Sequence, residues 1–499
     1  MHPLLEALLP FAASDGSALA RSAYAMGLAV TRPDGSTRAI PITATPVVAN
    51  RRRIQERAEL SARLSSAAVK MARAVLASED SELLAAALSP LERKLAECTY
   101  QAARRFATTR VDYFLRAKDG HTVALEINAT IPAMQGYSDI AAEAFIRWLG
   151  GHANLPDSAI ADLARRNGSN ANALYRALLD GFALERDRAP ERIGLLCRRN
   201  DAQLTELGFL ADRFAELGTE ADVLFPDELS GDEDVFARGE RYELIYRHLF
   251  VRRVEESPAP YVADLLAECP SRRAVVLNPP ASQIEVKTTF ALLSQAGQEP
   301  SLAQRAGLDA DELQAARDAI PWTRLFRRGP AKDEEGASIA DLVSFVAAQP
   351  ERFVLKRAWD YGGKAVFIGA SAEDDAFSDR TRAAFGAALS WGELCQRAAD
   401  DRLGGGFVVQ AMVDAAPQTH LLCTEDGLSA RQLYVDFSAY ASVGLTPSPE
   451  WGGVCRGSPS HVVNIVGGGG VLPLLTTEVA DALLAGLRAR ASTKGAGRL

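Results

Sequence analysis

Along the first hundred residues, apolar positions recur every three to four residues, the spacing of one helix face. Residues 54–76 and 81–100, rich in Ala, Arg and Leu, read as packed helices, and Arg51, Arg52 and Arg53 as a solvated face. From Val111 the period falls to two, so residues 111–115 and 122–127 read as strands joined by a tight turn at Lys118-Asp119-Gly120. Helical spacing returns at 140–149 and continues through a helical linker over 151–190. Short apolar runs at 193–197, 222–225, 243–246 and 274–277, with a helix at 204–217, predict a small parallel α/β unit. Beyond a polar loop at 332–336, strands are expected at 353–356, 365–368, 407–413, 433–441 and 461–466, and a closing helix at 477–491.

Composition narrows the class. With 499 residues, 47% hydrophobic and 24% charged, the chain can build several globular domains. A net charge of −9, with basic residues spread evenly, argues against non-specific nucleic-acid binding, which needs a concentrated basic face. The six cysteines (Cys98, Cys197, Cys269, Cys395, Cys423 and Cys455) show no CxxC spacing and read as reduced thiols. The six histidines are equally dispersed, which disfavours a zinc site. The N-terminus carries neither a basic leader nor an apolar run of about 20 residues, so no signal peptide or membrane span is expected and the location expected is cytoplasmic.

Four patterns carry candidate chemistry. Alternation on a strand puts Glu126 and Asn128 on one side of Leu125-Glu126-Ile127-Asn128, and a paired strand can set Asp112 beside them. Two carboxylates and an amide oxygen are hard donors suited to magnesium, although a polar strand face looks the same in isolation. In Phe353-Val354-Leu355-Lys356, a lysine ends an apolar strand. The turn Asp360-Tyr361-Gly362-Gly363-Lys364 follows, and its glycines let backbone N–H groups approach a phosphate. Neither GxxxxGK[ST] nor GxGxxG is present. The strand 407–413 carries one polar side chain, Gln410, and its end at Met412 and Val413 can border a flat base. Arg456 precedes Val462-Val463-Asn464 and four glycines, Gly467 to Gly470, and can bind phosphate or carboxylate through paired hydrogen bonds.

The order of strand lysine, Tyr-Gly-Gly-Lys and apolar strand with Gln resembles the nucleotide-binding lobe of ATP-grasp enzymes, and Asp112 with Glu126-x-Asn128 resembles their magnesium motif. Here the metal motif comes first, as in the circularly permuted group that includes glutathionylspermidine synthase. Arg110-Val111-Asp112-Tyr113 is similar to that group's Arg-x-Asp strand. Tyr246-Arg247, Asn278-Pro279-Pro280 and Glu285-Val286-Lys287 resemble its preceding α/β domain and first ATP-contacting lysine. The likeness spans roughly residues 105–480. It departs at Asn128-Ala129-Thr130-Ile131-Pro132, where the glutathionylspermidine enzymes have Asn-x-Asp-Thr-Pro, so their substrates do not transfer.

The resemblance implies an α/β (α+β) ATP-grasp fold in permuted order. Its expected divisions are a helical region 1–104, a metal-binding part 105–185, a small α/β domain 186–290, a helical connector 291–345 and a nucleotide-binding part 346–499. It implies ATP and magnesium as cofactors. Asp112, Glu126 and Asn128 would hold the metal; Lys287, Lys356, Tyr361, Gly362, Gly363, Lys364, Gln410, Met412 and Val413 would hold the nucleotide; Arg110 and Arg456 would be catalytic. The implied activity joins a small-molecule carboxylate to an amine (amino acid, peptide or polyamine) through an acylphosphate, releasing ADP and phosphate. A phosphotransferase acting on a hydroxyl and a non-catalytic nucleotide-binding protein are the alternatives. Homodimers are frequent in such families. Substrate specificity is expected from loops in 105–140 and 190–260, whose residues one sequence does not rank.

Overall fold

A computed structural model describes residues 2–96, 105–256, 258–268, 271–360, 363–425, 427–448, 450–463 and 468–496. Its largest sheet has seven strands, ordered Gln418–Thr424, Ile42–Thr43, Gly470–Leu472, Gly453–Ser458, Gly427–Val443, Phe106–Leu115 and Thr122–Asn128. The 17-residue strand Gly427–Val443 pairs with Gln418–Thr424 along its first part and with Gly453–Ser458 and Phe106–Leu115 along its second.

Alternation gives this sheet two different faces. Val111, Tyr113, Ile127, Phe437, Ala439 and Cys455 are buried in one apolar core, which helix Arg51–Leu76 covers. Asn50 caps that helix, its side chain accepting from the Arg53 N–H. The intervening residues Arg110, Asp112, Glu126, Asp436, Ser438 and Arg456 share the opposite face, because Asp112 pairs with both Glu126 and Ser438 while Asp436 pairs with Arg456.

A second, antiparallel sheet of four strands is ordered Thr323–Phe326, Phe407–Ala411, Phe353–Arg357 and Val366–Ile368. Phe353, Leu355, Phe367, Phe407 and Val409 pack beneath it with Trp391 and Leu394. A third sheet is wholly parallel, ordered Val275–Leu277, Leu244–Arg247, Arg192–Leu196 and Glu220–Leu224, as the spacing of short apolar runs predicts.

Several elements differ from the sequence reading. The expected strand 461–466 is not formed over 461–463, and residues 464–467 lie outside the described residues. The expected helical connector 291–345 contains the strand Thr323–Phe326, an edge of the four-stranded sheet. The N-terminal region expected to be helical holds four strands of two or three residues between 29 and 49; Ile42–Thr43 joins the large sheet. Segments this short have no readable period, and their pairing is set by partners hundreds of residues away. The strands between residues 418 and 472 extend the large sheet rather than the four-stranded one.

Candidate active site

One cavity of about 400 Å³ lies where the polar face of the large sheet, the four-stranded sheet and the small parallel sheet meet. Fourteen residues are singled out by the sequence, of which Tyr361 and Gly362 lie outside the described residues; the other twelve all line this cavity. They are Arg110, Asp112, Glu126, Asn128, Lys287, Lys356, Gly363, Lys364, Gln410, Met412, Val413 and Arg456.

The hairpin Phe106–Leu115 and Thr122–Asn128 shifts register between Asp112 and Tyr113, so one extra residue sits on the second strand. This bulge lets the consecutive residues Leu125 and Glu126 both line the cavity. The Leu125 carbonyl accepts from Lys356 Nζ at 3.3 Å, and Gln410 Oε1 accepts from the same ammonium at 2.6 Å. Gln410 donates in turn to Thr323 Oγ1 at 3.2 Å, so the edge strand missed by sequence orients it. Burial draws the Lys356 ammonium down to a pKa of about 8, with Glu126 opposing the shift. Lys287 Nζ stands 3.5 Å from Glu126 and donates to the Asp360 carbonyl at 3.0 Å.

The turn after the lysine strand reaches across the cavity. Gly363 has φ +73°, and a Cβ there would come within 2.5 Å of Val462. The position therefore requires glycine twice over, for its backbone conformation and for the approach of the 458–463 loop. The end of strand Phe407–Ala411 turns into an apolar slot, where Val413 packs with Phe114, Val123 and Leu125.

Two arginines and two carboxylates occupy the polar sheet face. Arg110 donates to Asp112 through Nε (2.7 Å) and Nη2 (3.1 Å), and through Nη1 to the Ala133 carbonyl (2.9 Å). Arg456 Nη2 donates to Asp112 Oδ2 at 2.8 Å, and its guanidinium also pairs with Asp436. Burial alone would raise the Asp112 pKa, but Arg110 and Arg456 outweigh it and hold the carboxyl below the usual carboxylate range. Burial pushes Asp436 up, to about 6, against the pull of Arg456.

This geometry separates the expected metal ligands. Both Asp112 oxygens already accept arginine hydrogen bonds, so a magnesium ion at Asp112 would share this carboxylate with Arg110 and Arg456. Glu126 and Asn128 fit better. The Glu126 carboxylate remains one-third exposed, and the buried Asn128 Nδ2 has no hydrogen-bond partner. Rotating that amide by half a turn would place its oxygen, a hard donor, in the unpartnered position. Among the described residues, no three His, Cys, Asp or Glu side chains are grouped closely enough to hold a metal on their own.

Several cavity residues were not singled out from the sequence. Asp436 was legible in principle, since Tyr434, Asp436 and Ser438 alternate with Leu433, Val435, Phe437 and Ala439 on one strand. Asp360, at the head of the glycine turn, also lines the cavity, as do Arg198, Asp201 and Arg253, which carry no local signal. Glu285, half-buried, accepts from the Ala129 and Thr130 N–H groups at 3.0 and 2.8 Å, fixing the chain just after Asn128.

No protein-family model matches this chain, and no curated protein matches it. Among solved structures, the chain is similar to a glutathione synthetase-like effector from Globodera pallida in its apo form. The identity is 13%, the TM-score 0.54, and the match covers 96% of this chain and 98% of the other. The two therefore share a fold over nearly their whole lengths. A candidate γ-glutamylcysteine synthetase from Methylobacillus flagellatus KT matches with 11% identity and TM-score 0.37 over 88% of this chain and 97% of the other. No helix among the described residues is long and apolar enough to cross a membrane.

Proposed function

We propose that this protein is an ATP-dependent ligase of the ATP-grasp type, in circularly permuted order, joining a carboxylate to an amine. The observation that carries the reading is that all twelve described residues nominated from sequence line one cavity, although they span positions 110 to 456. The fold shared with a glutathione synthetase-like effector supports it.

In this reading Lys356 and Lys287 leave Gln410 and Glu126 to contact phosphate oxygens, and the turn at Gly363 and Lys364 covers the triphosphate. The base occupies the apolar slot beside Met412 and Val413. Glu126 and Asn128 hold magnesium, with Asp360 on the adjoining wall. Bound magnesium supplies neutralisation of the phosphate charge. A carboxylate oxygen of the donor attacks the γ-phosphorus and ADP leaves. The amine then attacks the acyl carbon, loses a proton, and phosphate departs with the donor's oxygen. Arg110 and Arg456, held rigid by Asp112 and Asp436, present positive charge to the transferring phosphoryl group and the tetrahedral intermediate.

The test is product analysis with Mg·ATP and mixed carboxylates and amines. Ligation gives ADP, phosphate and an amide, each dependent on both substrates. A phosphoester product would identify a phosphotransferase, and nucleotide binding with no turnover for any acceptor would identify a non-catalytic binder. AMP and pyrophosphate would refute the acylphosphate scheme.

A further inference from the structure

The backbone just after Asn128 is gripped on both of its hydrogen-bonding sides. Glu285 Oε2 accepts from the Ala129 N–H at 3.0 Å and from the Thr130 N–H at 2.8 Å. The Ala129 carbonyl accepts from Asn278 Nδ2 at 3.5 Å. Asn278 is fully buried, and its amide also pairs with Thr108 on the neighbouring strand, donating to the carbonyl at 2.6 Å and accepting from the N–H at 3.3 Å. Arg247, equally buried, holds Asn278 in turn by donating to its carbonyl at 2.9 Å and to that of Pro279 at 2.8 Å.

Asn278 and Glu285 belong to one short stretch that leaves the strand Val275–Leu277 of the small parallel sheet. The same stretch then delivers Lys287, whose Nζ lies 3.5 Å from Glu126 and whose N–H donates to the Ala358 carbonyl at 2.8 Å, at the foot of the glycine turn. A cavity of about 60 Å³ lies among these parts, lined by Glu126, Asn128, Glu285, Lys287 and Asp360. Asn128 Nδ2 is buried without a partner, so that end of the amide is steered only by the backbone that carries it. A metal ligand held in its binding geometry gives up less freedom when the ion arrives, so whatever fixes that backbone adds to metal affinity.

We propose that Glu285 is a positioning residue for the magnesium site. Through the Ala129 and Thr130 N–H groups it holds the strand end so that Asn128 and Glu126 meet the ion together. It acts through those backbone bonds and not as a ligand, and Asn278 serves the same end from the carbonyl side. The assignment rests on the magnesium reading given above.

The experiment follows manganese binding to the full chain by electron paramagnetic resonance, with a non-hydrolysable ATP analogue present. Glu285→Ala should weaken manganese binding by about 10- to 100-fold. Glu285→Gln keeps an oxygen able to accept both N–H bonds and should lose clearly less. Glu285→Asp keeps the charge but is a methylene too short, so it should match the alanine variant and replaces it should that variant not fold. Affinity for the analogue in the presence of a chelator should be unchanged throughout. Wild-type manganese affinity in the alanine and aspartate variants would overturn the assignment. So would equal losses in the glutamine and alanine variants, which would make Glu285 a ligand itself, or a parallel loss of metal-free nucleotide affinity, which would make it a general support of the cavity. A wild type that binds the analogue but no manganese would overturn the magnesium reading and this assignment with it. Manganese binding in the expected order, without ADP release for any carboxylate and amine, would uphold the positioning role and remove the ligase reading.

Discussion

Replacing Asp112 by Asn tests the division of labour on the polar sheet face. The substitution keeps the shape and removes one negative charge from between two guanidinium groups. Arg110 is 6% exposed, and its other partner is the neutral Ala133 carbonyl, so it loses the carboxylate that faces it. Arg456 keeps Asp436. Breaking a buried pair by removing one partner costs about 3–5 kcal/mol, and the retained Asn oxygen, able to accept one of the three bonds, places this case near 3 kcal/mol. The loss depends on pH in a fixed direction. The folded Asp112 pKa is depressed, so its contribution is full above the unfolded carboxylate value of about 4 and fades as pH falls below it. Thermal unfolding should therefore separate wild type from variant at pH 7 and bring them together in acid. Manganese binding, followed by electron paramagnetic resonance in the presence of nucleotide, should be retained, while kcat falls at least about 100-fold as Arg110 and Arg456 lose their alignment. Lost manganese affinity with unchanged thermal stability would refute the argument and return Asp112 to the metal.

Other substitutions probe the remaining walls. Glu126→Ala should abolish manganese binding and turnover while leaving the melting temperature within a few degrees, because its carboxylate is partly exposed and pairs only at 3.5 Å with Lys287. Lys356 loses its proton near pH 8, so KM for ATP should rise above that pH; Lys356→Gln should raise it about 10- to 100-fold at pH 7 and flatten the pH profile. Gly363→Ala, at φ +73° and 2.5 Å from Val462, should impair nucleotide affinity measured by titration calorimetry while the far-UV spectrum stays unchanged. Glu206 is buried on helix Leu204–Glu216, accepts from the Gly136 N–H at 3.1 Å, and is pushed up to about 8 by burial. A raised folded pKa means stability is lost as pH rises from the ordinary glutamate value through about 8, so Glu206→Gln should lessen that loss in melting curves across pH 5–9.

What was legible follows from how far each signal reaches along the chain. The hairpin carrying Asp112 and Glu126 is local, and a period of two places Glu126 and Asn128 on one face without knowledge of the fold. The parallel unit was legible for the same reason, as short apolar runs at regular spacing. Arg198 and Arg253 were not, because only the reversal of strand order brings the segments that follow two separate strands to one cavity. Asp112 marks the boundary between these cases. Alternation correctly gave the face it occupies, and a carboxylate beside Glu126 on that face reads naturally as a metal ligand. Its second partner, Arg456, lies 344 residues away on a strand that reaches it only through Gly427–Val443. A periodic pattern specifies the direction of a side chain, whereas its chemical role depends on the charge that the fold sets against it. Here that charge is a pair of guanidinium groups, and we propose that Asp112 serves as the clamp that aligns both arginines.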